Sequence, residues 1–144
     1  MLEHRFAENR DSPLLAGMNK RLAEDEGHRN GSRPAAWFEE RMRGFLAGEY
    51  RAVIFSRNGR VAGYALYAGH LDEEAPIYLR QLFVERDMRR MGLGRQMMRI
   101  LREDIWPPGK RITLSVLTGN VRAIGFYRAI GFQVSSLEME IPEN

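Results

Sequence analysis

The sequence predicts an α/β (α+β) fold: a central twisted mixed sheet flanked by helices, in the order β-α-α-β-β-β-α-β-α-β. Three observations predict it. The chain has 144 residues, 44% hydrophobic and 28% charged, which is the size and composition of one globular domain spanning 1–144. Helix-period and strand-period segments follow one another without strict βαβ alternation, which argues for a mixed sheet. An Asn-Gly pair between two apolar runs marks an antiparallel hairpin.

Each element has its own signal. Residues 3–8 are expected as a short strand. Asp11-Ser12-Pro13 starts a helix, with a capping residue and then proline in the first turn. Leu14, Leu15, Met18 and Leu22 recur at helical spacing, and Glu24-Asp25-Glu26-Gly27 closes the segment. After a loop from Asn30 to Pro34, Trp37, Phe38, Met42, Phe45 and Leu46 line a second helix. The period then changes. Tyr50 to Phe55 and Val61 to Ala68 are strands joined by Arg57-Asn58-Gly59-Arg60, and Pro76 to Val84 is a third. Gly94, Met97, Met98, Leu101 and Ile105 form a helical stripe that Pro107-Pro108-Gly109 ends. Arg111 to Leu117 is expected as a strand. Ala123, Phe126, Tyr127 and Ile130 form a last helical stripe capped by Gly131, and Phe132 to Ile141 is expected as the final strand.

Composition also excludes. A chain this long buries roughly 68–70% of its extended surface, so a core needs no metal or disulfide. Without cysteine there is no disulfide framework, cysteine nucleophile or thiolate zinc site. The longest uncharged apolar run, Val61 to Ala68, reaches nine residues with Gly69. A membrane span needs about 20. Glu3, Arg5, Glu8 and Arg10 interrupt any apolar leader, so the expected location is cytoplasmic. Net charge is +3, and all but two of the 22 cations are arginines. Seven arginines between Arg80 and Arg102 face only Glu85 and Asp87, a local excess of five that favours an anionic ligand.

Arg89-Arg90-Met91-Gly92-Leu93-Gly94 stands between a predicted strand and a predicted helix. Glycines let backbone approach a ligand closely, and the free N–H groups of a helix's first turn bind anions. A pyrophosphate-bearing ligand suits the segment. It is not a dinucleotide fingerprint, because Met97 stands where the third glycine belongs. It is not a Walker loop either, because Arg95 and Gln96 follow Gly94.

Here the sequence resembles the GNAT superfamily of acyl-coenzyme A N-acyltransferases. Arg89, Gly92 and Gly94 fill its Arg/Gln-x-x-Gly-x-Gly/Ala signature, and Leu79 to Val84 is similar to the family's fourth strand. Asn120, Ala123, Phe126-Tyr127 and Gly131-Phe132 match a second family block. The resemblance is specific over roughly 75–135 and rests on element order before it.

The resemblance implies acetyl-coenzyme A as co-substrate and an amine acceptor, small molecule or peptide. It implies that the backbone of Leu82, Phe83 and Val84 pairs with the pantetheine arm as an added strand. Backbone N–H groups of Arg89, Arg90, Met91, Gly92, Leu93, Gly94 and Arg95 would hold the pyrophosphate. Asn120, with Ala123 and Phe126 beside it, would meet the arm, and Tyr127 would protonate the departing thiolate. The N–H of Phe83 or Val84 would polarise the carbonyl.

The base is left open. Many family members carry a glutamate early in the fourth strand, where this chain has Tyr78-Leu79-Arg80-Gln81. A water relay or one of Glu24, Asp25 and Glu26 remains. Adjacent helical residues diverge, so not all three can face one site, and an inward one would favour a cationic amine. Arg80 and Gln81 are expected to alternate faces, so that one of them touches substrate.

Other chemistries do not assemble. His4, His28 and His70 are widely spaced and there is no Gly-x-Ser-x-Gly, so neither a metal site nor a nucleophile elbow is expected. Spacing alone also allows Tyr127 to be a core aromatic. Two rivals stay in view. One is a non-catalytic acyl-coenzyme A sensor. The other is a nucleic-acid module, disfavoured because Phe83 is the sole aromatic among the cations of 80–102. Dimers are common in the family, and the oligomeric state is left open.

Overall fold

Asn58 and Gly59 take φ of 52° and 77°. This is the left-handed pair that a two-residue type I′ turn requires. The turn joins β2 (Arg51–Arg57) to β3 (Arg60–Ala68) in the expected hairpin. Around it the structure, a computed structural model, describes residues 1–143. β1 (Glu3–Phe6) pairs antiparallel with β2, and β4 (Ile77–Val84) antiparallel with β3. β5 (Ile112–Thr113) lies parallel to β4, giving a five-stranded mixed sheet in the order β1-β2-β3-β4-β5.

Helices cover both faces. α1 (Ser12–Asp25) and α2 (Ala35–Ala47) bury Leu15, Met18, Phe38 and Met42 against Ile54, Tyr64, Leu66 and Phe83. On the other face α3 (Leu93–Ile100), continued by a wider π turn over Leu101–Ile105, buries Met97, Met98 and Leu101 against Val53, Phe55, Ala65, Tyr67 and Leu79. α4 (Val121–Ala129) adds Phe126 and Tyr127 to the same side. Among the described residues no helix is long and apolar enough to cross a membrane.

A β-bulge breaks the β3–β4 register: Leu66 is opposite Gln81 but Tyr67 is opposite Leu79, leaving Arg80 as the extra residue. The bulge shifts the side-chain phase by one. Ile77 and Leu79 belong to the α3 face before it, and Leu82 and Val84 belong to that face after it. The expected alternation of Arg80 and Gln81 is therefore corrected. Across a bulge neighbouring side chains share a face, and both line one cleft with Tyr78.

Two further corrections concern the far edge. The strand expected over Arg111 to Leu117 is reduced to Ile112–Thr113. Its pairing with β4 stops at Tyr78↔Thr113, where the two backbones part. The last strand expected over Phe132 to Ile141 does not form, so the final β of the predicted order is absent from the described residues. Leu137, Met139 and Ile141 carry the period-2 pattern, but they are 75%, 88% and 97% exposed. The pattern marks a face able to be buried, and no sheet edge among the described residues receives it.

Candidate active site

The parting of β4 from β5 leaves the lower half of β4 with one open edge. The Glu85 N–H donates to the Ala62 carbonyl across to β3 at 2.8 Å. Backbone groups alternate in direction along a strand, so Phe83 also turns toward β3. Leu82 and Val84 turn their N–H and C=O groups to the open edge. Of the two N–H groups expected to polarise a carbonyl, Val84's faces the wedge and Phe83's does not. The Phe83 side chain is buried in the α1/α2 cluster.

The loop after β4 is held by ion pairs to the end of α1. Arg21 grips Glu85 with Nε and Nη2 at 3.0 and 2.9 Å. Arg86 reaches Asp25 at 2.9 Å and Glu24 at 3.3 Å. Arg89 donates from Nε to the Val84 carbonyl at 2.9 Å and from Nη2 to Asp25 at 2.6 Å. Glu24 and Asp25, two of the three base candidates, are thus engaged as structural anions. Arg60 pairs with Asp87. Arg90 and Arg95 have no carboxylate partner among the described residues and keep the loop mouth positive. The Arg57 Nη1 rests on the Met91 sulfur at 3.0 Å.

Gly92 is the N-cap of α3 with φ 73°, a left-handed position suited to glycine, and among the described residues no side chain caps the first-turn N–H groups. Leu93 is buried below them. Gly94 has a different reason to be glycine: a Cβ there would lie 3.1 Å from the Phe126 ring. The two blocks of the sequence therefore meet, α3 packing on α4 through the space Gly94 leaves. Asn120 caps α4, its Oδ1 accepting from the Ala123 N–H at 3.3 Å, so its amide NH₂ is not engaged by that cap.

Tyr127 stands edge-on between the Phe126 and Phe132 rings, with centroids at 5.2 and 5.4 Å. Burial pushes its phenol up to about 12, and the charge of Glu26 adds to the rise. Glu26 is exposed as a residue, yet burial of its carboxyl, then the neighbouring Asp25 charge, raises its pKa above the ordinary carboxylate value.

Glu26 lines a cleft of about 150 Å³ with Asn19, Arg41, Tyr78, Arg80 and Gln81. The buried Tyr64 hydroxyl donates to Gln81 Oε1 at 2.7 Å, and burial raises its pKa, so it remains a donor. Arg41 donates to Asn19 Oδ1 at 3.3 Å. Sequence reasoning found Glu26, Arg80 and Gln81 but missed Arg41, Asn19 and Tyr78. Arg41 had a signal: it interrupts the apolar stripe of α2, four residues from both Trp37 and Phe45. Among the described residues no group of three His, Asp or Glu is gathered as for a metal ion.

Comparison with known proteins agrees with this geometry. The sequence model of the acetyltransferase (GNAT) family matches residues 16–132. The L-methionine sulfoximine/L-methionine sulfone acetyltransferase of Pseudomonas aeruginosa is 31% identical over 103 residues, covering 69% of this chain and 58% of that protein. The peptidyl-lysine N-acetyltransferase YjaB of Escherichia coli K12 is 30% identical over 98 residues, covering 67% and 58%. The matched part thus spans a little over half of these relatives. A predicted acetyltransferase of Clostridium acetobutylicum, solved with acetyl-CoA, superposes with a TM-score of 0.71 at 21% identity, over 99% of this chain and 96% of that one. With its split β4–β5 pair, glycine-capped α3 and both sequence blocks meeting at Gly94 and Phe126, the chain belongs to the GNAT acetyltransferase family.

Proposed function

We propose that this protein is an N-acetyltransferase that moves an acetyl group from acetyl-coenzyme A directly to an amine acceptor. The wedge between β4 and β5 carries the reading. One side offers a strand edge, an uncapped helix N-terminus and a phenol; the other offers a polar cleft with a carboxylate. The relatives named for L-methionine sulfoximine and for peptidyl-lysine support an amino group as acceptor.

The residues fit coenzyme A. The N–H and C=O of Leu82 suit the amides of a pantetheine arm, the Val84 N–H being kept for the acetyl carbonyl, and the Asn120 NH₂ can add a donor. The N–H groups of 89–95, with the α3 dipole and the charges of Arg90 and Arg95, suit the pyrophosphate. When bound, acetyl-coenzyme A supplies an activated acetyl thioester. The Val84 N–H then stabilises negative charge on the carbonyl oxygen. Glu26 takes a proton from the acceptor ammonium through water, which frees the nitrogen lone pair to attack. Tyr127 gives its phenolic proton to the departing sulfur. The proton lost from the attacking nitrogen restores the phenol through solvent, which closes the balance.

Amine-dependent release of free thiol, matched one-to-one by acetylated amine in mass spectra, tests the reading. Tight acetyl-coenzyme A binding with no turnover across a broad amine panel would instead identify a non-catalytic sensor.

A further inference from the structure

Two guanidinium groups of the cleft lie over one ring, that of Phe45. The Arg41 Cζ lies 5.3 Å from the Phe45 ring centroid and the Arg80 Cζ 4.9 Å. Trp37 holds Arg41 from a second side at 5.3 Å, and Tyr50 holds Arg80 at 5.6 Å. The Tyr50 hydroxyl accepts from Arg80 Nη1 at 3.1 Å. Neither arginine has a carboxylate partner among the described residues. With Arg41 Nη1 on Asn19 and Arg80 Nη1 on Tyr50, the other N–H groups of both guanidiniums have no protein acceptor among the described residues and can meet a ligand.

Two like charges side by side in a cleft repel unless an anion joins them. Arg41 registers this: burial lowers its pKa, and the Arg80 charge lowers it further. The opposite charge in the cleft is Glu26. The cleft therefore has a cationic wall on α2 and the β4 bulge, and an anionic residue at the end of α1. That polarity matches a ligand with an amine at one end and an anion at the other.

We infer that Arg41 and Arg80 form the anion subsite of the acceptor pocket, and that the acceptor is a free α-amino acid whose carboxylate they hold. The inference rests on the acetyltransferase reading and narrows it. The bidentate geometry of guanidinium and carboxylate supplies the orientation that aims the amine at the wedge. A peptidyl lysine, whose own carboxyl carbon is tied up in a peptide amide, cannot use the two arginines in this way.

The test uses acetyl-coenzyme A with matched sets of acceptors, each built on one L-amino acid side chain. A set comprises the free amino acid, its amide, the decarboxylated amine and the aminophosphonate. The expected result is that kcat/KM for at least one free amino acid exceeds that of its amide and amine by tenfold or more. Arg80→Gln, an exposed position, should cut this preference at least tenfold through KM, and Arg41→Gln should do the same. Thermal unfolding checks that both variants are folded. Acetylation of amides or amines as fast as the free acids overturns the inference and leaves the acetyltransferase reading standing. A preference for phosphonates overturns the carboxylate assignment. Failure to acetylate any member of any set overturns the reading itself.

Discussion

The Arg89 guanidinium donates to the carbonyl oxygen of Val84 at 2.9 Å, closing the loop between β4 and α3 back onto the last residue of β4. The same guanidinium reaches Asp25, so the end of α1, the loop and the open strand edge form one unit. Asp25 is structural in this arrangement.

Asp25→Asn should therefore act through positioning. Partly exposed pairs contribute about 1 kcal/mol or less, so Tm should fall slightly and the KM for acetyl-coenzyme A should rise about two- to fivefold. Steady-state kinetics check this, with kcat little changed. A hundredfold loss of kcat at unchanged KM would make Asp25 the base and displace Glu26.

Gly94 and Phe126 are coupled by space. Gly94→Ala places a Cβ 3.1 Å from the ring, tighter than ordinary contact. Overpacking of this kind costs about 1–3 kcal/mol. Phe126→Leu removes the obstructing ring atoms, so in the double variant part of the loss should return. A double-mutant cycle by chemical denaturation reads the coupling. Strict additivity would show that Gly94 is glycine for another reason.

A base at Glu26 predicts a particular pH dependence. In the proposed mechanism the attacking amine needs Glu26 ionised, and the pKa of Glu26 is raised. The acid limb of kcat should thus lie above the ordinary carboxylate range, with activity rising as pH rises through it. The phenol of Tyr127, at about 12, stays protonated well past neutrality and contributes no fall in that range. Glu26→Gln should remove the limb and lower kcat at least about tenfold, as loss of a general base does.

The same shift has a sign for stability. A carboxyl whose pKa is higher folded than unfolded favours the fold in its protonated form. Its contribution is present below the unfolded pKa and is lost as pH rises through the folded one. Glu26→Gln should therefore raise Tm at neutral pH while lowering activity. Calorimetry at acid and neutral pH checks it; a lower Tm at neutral pH would mean that Glu26 is held as a favourable anion.

Much of this was legible in the chain, for identifiable reasons. Asn58-Gly59 encodes its own turn, and the stripe of Met97, Met98 and Leu101 encodes its buried face, because both are local. The bulge at Arg80 is a property of the pairing between β3 and β4, so the strand read alone places Arg80 and Gln81 on opposite faces. The same holds for β5. The apolar run after Arg111 is real, but the wedge ends its ladder at Thr113. Glu24, Asp25 and Glu26 stand consecutively, and the sequence favours Glu24 and Glu26 for the pocket without separating those two. Ion pairs from Arg86 and Arg89, more than 60 residues away, separate the first two from the third. Gly94 was readable as a phosphate-loop glycine, while its contact with Phe126 was not.

The proton donor assigned to Tyr127 is the claim on which the catalytic account turns, and kcat of Tyr127→Phe measures it most directly. The substitution keeps the ring between Phe126 and Phe132, so Tm should hold. It removes the proton, and a general acid is worth about 10²–10⁴ in rate, so kcat should drop at least about tenfold even with water substituting in part. The KM for acetyl-coenzyme A should move by less, since one neutral hydrogen bond contributes about 0.5–1.5 kcal/mol. An unchanged kcat, with acetyl transfer shown to be rate-limiting, would make Tyr127 a packing residue and contradict the account.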